Sequence, residues 1–100
     1  MSAGKMSAQA SHAAVDSVLK SPKKKVEEWV KEGAKKVILG VKDKKELLEF
    51  KRKAGSAGLI NSLITDAAKT FFKEPTTTCL GIGPDEEKKI DVVSGKLKIV

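Results

Sequence analysis

The chain holds one cysteine, Cys79, and one histidine, His12. A lone cysteine excludes an internal disulfide and suits a reducing compartment. A lone histidine with only Asp16 one helical turn away leaves a metal shell incomplete. No apolar run is long enough to cross a bilayer, and the small, polar start over residues 1–11 has no signal-peptide core. These absences predict a cytoplasmic protein. Repeats, linkers and low-complexity segments are missing too, so residues 1–100 are expected to form one domain around a single core. Gly81-Ile82-Gly83 lacks the third glycine of a dinucleotide fingerprint, and no phosphate-loop lysine follows a glycine-rich turn.

What the chain has in excess is positive charge. Twenty Lys and Arg stand against thirteen Asp and Glu, a formal charge of +7. That excess points to a polyanionic partner, nucleic acid before a membrane surface, with a merely solubilising surface as the alternative. Lys23, Lys24 and Lys25 sit together where a helix is expected to start. The helix dipole disfavours cations there, so an external anion would offset the cost, and the trio suggests a phosphate-contact patch.

A first helix is expected from about Gly4 to Leu19, burying Ala10, Ala13, Ala14 and Val18. Its other side carries Lys5, Gln9, His12 and Asp16 at i, i+4, i+7 and i+11, one narrow stripe that forms either a site or a solvated face. Ser21-Pro22 reads as an N-cap and first helical residue, with Trp29 as core anchor and Gly33 as stop. The lysine-bracketed run from Lys36 to Lys42 reads as a strand covered on both faces. Asp43 and Glu46 form an acidic capping box for a helix carrying Leu47, Phe50 and Ala54 inward. Asp85, Glu86 and Glu87 open a last short helix, and Leu97–Val100 alternates like an edge strand.

Between these lies the stretch from Leu59 to Thr70. It starts as a buried strand and delivers Asp66 at its carboxyl end, where open α/β sheets gather ligands. The plainer reading makes Asp66 a turn cap. Thr76–Ile82 reads as a neighbouring, hairpin-like strand, in which Cys79 is an inert small hydrophobe rather than a nucleophile paired with His12. Helices alternating with strands predict an α/β fold, a small three-layer sandwich with a mixed sheet flanked by helices.

Gly4-Lys5, Ala8-Gln9, Ser11-His12-Ala13-Ala14, Asp66-Ala67 with Thr70, and Thr78-Cys79-Leu80-Gly81-Ile82-Gly83-Pro84 together resemble the type-2 peptidyl-tRNA hydrolases of archaea and eukaryotes. Gly95-Lys96-Leu97-Lys98 resembles the end of that family. The resemblance implies an enzyme that hydrolyses the ester between peptide and tRNA, with no metal or organic cofactor. Its partner would be peptidyl-tRNA, with neither DNA nor a membrane, and a homodimer is possible. Lys5 would stabilise the oxyanion and Asp66 would orient or deprotonate the attacking water. Thr70 and Thr78 would add hydroxyl hydrogen bonds, while Gln9 and His12 match the family's helix motif. Lys23, Lys24 and Lys25 would contact tRNA phosphates, without sequence readout.

Three departures accompany the resemblance. Ala68 stands where the family has glycine, and Pro75 stands where it usually has glycine. The family's apolar strand before the Gly-Lys motif is not seen here, which predicts open strand edges and either self-association through that gap or a longer protein of which this chain is a part. The alternative function is a non-catalytic tRNA- or protein-binding relative of the same fold.

Overall fold

The computed structural model describes residues 2–66 and 76–100, and the side chains of all of these except 66 and 76–78. Expectations for Ala68, Thr70 and Pro75 therefore lie outside the described residues. Helix α1 spans Ala3–Lys20, close to the expected bounds. The Ser2 hydroxyl caps it by accepting the Lys5 N–H at 3.2 Å. Ala13 and Ser17 form its buried line.

Helix α2 spans Lys23–Lys31, and here the sequence expectation needs correcting. Pro22 occupies the N-cap, and no side chain caps the helix. Ser21 instead ends α1, its N–H bonded to Val18 O and its hydroxyl donating to Ser17 O at 2.7 Å. The last carbonyls of α1 claim Ser21 because only two residues separate the helices. Trp29 is half-buried rather than a core anchor. Its indole N–H donates to Lys35 O at 3.0 Å, and Lys36 Nζ lies 5.2 Å from its ring.

The expected strand from Lys36 to Lys42 does not form. Leu39 makes one isolated antiparallel bridge to Ile99, and this is also all that remains of the expected C-terminal edge strand. Among the described residues no further strand lies beside either segment. An apolar run cannot be a doubly covered strand without such neighbours. Val37 is accordingly 51 % exposed and Ile38 46 %.

Helix α3 spans Lys44–Ser56 and follows the predicted cap closely. Asp43 Oδ1 accepts the Glu46 N–H at 2.8 Å. The returning arm reaches one residue further back than a standard capping box, with Glu46 Oε1 accepting the Lys42 N–H at 3.2 Å. Ala54 is completely buried, with Leu47 and Phe50 half-buried beside it. The chain leaves through Gly58 at φ +75°, a left-handed conformation that favours glycine.

Strands β1, Asn61–Asp66, and β2, Thr76–Ile82, then pair antiparallel. The α/β class stands. Its sheet, however, is two antiparallel strands among the described residues, not a mixed one. α1 and α3 both lie against both strands. Helix α4, Glu87–Ser94, packs beside α3.

At Gly81, α1 lies close against β2. A Cβ on Gly81 would stand 2.6 Å from Ser17 Oγ and 2.7 Å from the backbone oxygen of Ala13. The hydroxyl can rotate away, but the carbonyl moves only with the helix. Gly81→Ala is therefore expected to push α1 off the sheet, lowering stability by about 1–3 kcal/mol. Urea denaturation checks this; an unchanged midpoint would show that α1 tolerates the methyl group.

Candidate active site

The stripe on α1 and the far end of the hairpin make up the candidate site. Contacts along α1 step regularly over the sheet. Ala13 and Ser17 lie over Gly81, and Cys79 Sγ donates to Gln9 O at 3.1 Å. Moving up α1 from Ser17 to Gln9 thus follows β2 back toward its start. In register that start lies opposite Asp66, through the pair Asp66 with Thr76. Lys5 is one further turn along, about 6 Å of helix rise beyond Gln9. The fold therefore carries the Lys5 end of α1 toward the strand end that delivers Asp66.

The hairpin is irregular at this end. Ile64 pairs with Cys79 but Thr65 pairs with Thr77, leaving Thr78 as the extra residue of a β-bulge. Bulges bend strands locally and recur beside active sites. A run of three threonines hides such a feature from sequence reading, because its β propensity is uniform.

Along the stripe, Lys5 and His12 are exposed, while Gln9 and Asp16 are half-buried. Asp16 is anchored by Lys20 at 3.1 Å. The Ser62 hydroxyl beside it, then the Lys20 ammonium, hold its carboxyl below the ordinary range. Ser62 Oγ lies near enough to favour the carboxylate but closes no hydrogen bond of full geometry, and Ser17 Oγ is likewise unpartnered. Ser62 was legible only as one polar residue in a strand. Its place beneath α1 depends on the hairpin's register.

The three lysines at the start of α2 separate in the structure. Lys23 and Lys24 are exposed, Lys23 standing 4.0 Å from Glu27. Lys25 instead donates to Asp85. Asp85 does not open α4 as expected: its side chain is 5 % exposed, with Lys89 a further 3.8 Å away. Its other oxygen accepts the Glu86 N–H at 2.7 Å. Long-range pairing won over helix capping because α2 brings Lys25 across sixty residues of sequence.

The whole chain, residues 1–100, matches the family model described as Peptidyl-tRNA hydrolase PTH2. The chain belongs to the peptidyl-tRNA hydrolase PTH2 family. A peptidyl-tRNA hydrolase of Methanothermobacter thermautotrophicus is 45 % identical over 100 residues, covering 100 % of this chain and 89 % of that protein. One from Methanopyrus kandleri is 45 % identical over 102 residues, covering 100 % of this chain and 88 % of the relative. One from Nanoarchaeum equitans is 43 % identical, with 96 % and 86 % covered. No described helix is long and apolar enough to cross a membrane.

Asp85 gives this family member a pH-dependent tie between α2 and α4. Burial pushes its carboxyl up, but Lys25, the Glu86 N–H and Lys89 outweigh burial and hold it below its ordinary value. A lowered folded-state pKa means the tie stabilises fully above the unfolded value and fades as pH falls through the folded one. Asp85→Asn is expected to cost about 1–3 kcal/mol at pH 7. The gap to the parent should narrow once pH drops below about 3.9. Urea midpoints across that range check it; a gap that widens in acid would contradict the assignment.

Proposed function

We propose that the chain hydrolyses the ester joining a peptide to the 3′-terminal ribose of tRNA, freeing the tRNA for translation in the cytoplasm. One observation carries this most directly: the stepped contacts of α1 run its Lys5 end toward the strand end of Asp66. Membership of the hydrolase family over the full chain favours this over a non-catalytic relative.

In this reading Lys5 supplies the positive charge that meets the oxyanion as water attacks the ester carbonyl. A cation held on a helix costs no reorganisation at that moment, which is why such groups lower barriers. Asp66 orients the water and takes its proton, and Thr70 and Thr78 hydrogen-bond near the carbonyl or ribose. Gln9 and His12 line the approach along α1. Lys23, Lys24 and Lys25 add phosphate contacts, Lys25 at the expense of its bond to Asp85.

The half-exposed apolar segment holding Val37 and Ile38 supports a homodimer, since a second copy would cover it. Sedimentation at low micromolar concentration tests this, and a strict monomer would refute it. For the chemistry, Lys5→Ala and Asp66→Ala are each expected to slow peptide release by about 10²–10³ while leaving tRNA affinity nearly intact. Single-turnover hydrolysis of labelled peptidyl-tRNA reads this directly. Parent-like rates in either variant would remove that residue from the mechanism.

A further inference from the structure

The cations of this chain are unevenly spoken for. Lys20, Lys23, Lys25, Lys35 and Lys89 each face a carboxylate. Lys36 donates to Ala34 O and stands over the Trp29 ring. A cation already matched inside the protein loses its own ion pair when it takes up a phosphate, so it adds less to polyanion binding.

Helix α3 is different. It carries Lys44, Lys45, Lys51, Arg52 and Lys53 against Glu46 and Glu49. Glu46 is turned back to the Lys42 N–H. Among the described residues no ion pair involves Lys44, Lys45, Lys51 or Arg52, and all four are exposed. Their spacing is also ordered. Lys45 and Arg52 are seven residues apart, as are Lys44 and Lys51, so each pair stacks on one line, about 10.5 Å along the axis. The Lys45–Arg52 line lies opposite Leu47, Phe50 and Ala54, whereas the Lys44–Lys51 line runs about 100° round the helix, flanking Leu47, with the exposed Leu48 between the two. Glu49 is the one acid on the exposed side and makes no ion pair with Lys45 or Lys53. Lys53 lies 4.8 Å from the Phe50 ring instead.

We propose that this exposed face of α3, led by Lys44, Lys45, Lys51 and Arg52, is the main phosphate-contact surface for tRNA. The proposal rests on the reading that the chain acts on peptidyl-tRNA, and it shifts the electrostatic grip from the start of α2 to α3. Unpaired cations release condensed counterions from the nucleic acid at no internal cost, so they dominate the salt dependence of binding.

The test measures the dissociation constant of deacylated tRNA across a potassium chloride series. Replacing Lys44, Lys45, Lys51 and Arg52 together by Gln is expected to flatten the log–log slope by about 2–3 units. Replacing Lys31, Lys88, Lys96 and Lys98 by Gln makes the same charge change elsewhere and should flatten it clearly less. A charge-preserving set, with Lys44, Lys45 and Lys51 changed to Arg and Arg52→Lys, should keep the parent slope. An unchanged slope in the first set, an equal fall in the second or a fall in the third overturns the proposal. Peptide release by the parent is measured alongside. Its absence would sink the hydrolase reading, whereas release with an unchanged α3 slope would sink only the α3 surface.

Discussion

The structure depends on how closely α1 can lie on β2. Gly81 has no side chain, and the Ala13 carbonyl occupies the space one would need. This contact, the Cys79–Gln9 hydrogen bond and the buried Ser17 and Ser62 set the height and direction of the helix over the hairpin. Everything at the candidate site inherits that placement, because Lys5, Gln9 and His12 ride on the same rigid rod. Small residues make the approach possible, and the two orphan hydroxyls are what the interface costs.

Just beyond the Gly81 end of β2 the constraint is electrostatic. Asp85 is almost fully buried and would be expensive there without Lys25, Lys89 and the Glu86 N–H. That cluster ties α2 to the start of α4, and the more exposed Lys35–Glu87 pair adds little to it. Packing on α1 and charge pairing around Asp85 thus hold different parts of the chain. Between them the segment around Val37 and Ile38 is held by a single bridge, which leaves its apolar side chains open.

The same division separates structural from functional charge. A net charge of +7 by itself says only that polyanions are attracted. Which cations are available is a property of the fold, since a lysine committed to a buried carboxylate differs from one facing water. Lys25 and Lys51 look alike in sequence, yet among the described residues Lys25 has a carboxylate partner and Lys51 has none.

Local rules made much of this legible in advance. The extent of α1, the Asp43 cap of α3, the inward Ala54 and the strand Thr76–Ile82 follow from periodicity, capping chemistry and β propensity, all set by near neighbours. The motif stripe from Lys5 to His12 and the strand-ending Asp66 were legible for the same reason. Tertiary structure decided the rest. Ser21 went to α1 because two helices competed for it, and the run from Lys36 to Lys42 formed one bridge rather than a strand because a strand exists only through its neighbours. The bulge at Thr78, the burial of Asp85 and the place of Ser62 under Asp16 depend on partners far away in sequence. Periodicity carries no information about which distant residue will arrive, so these could be read only from the folded chain.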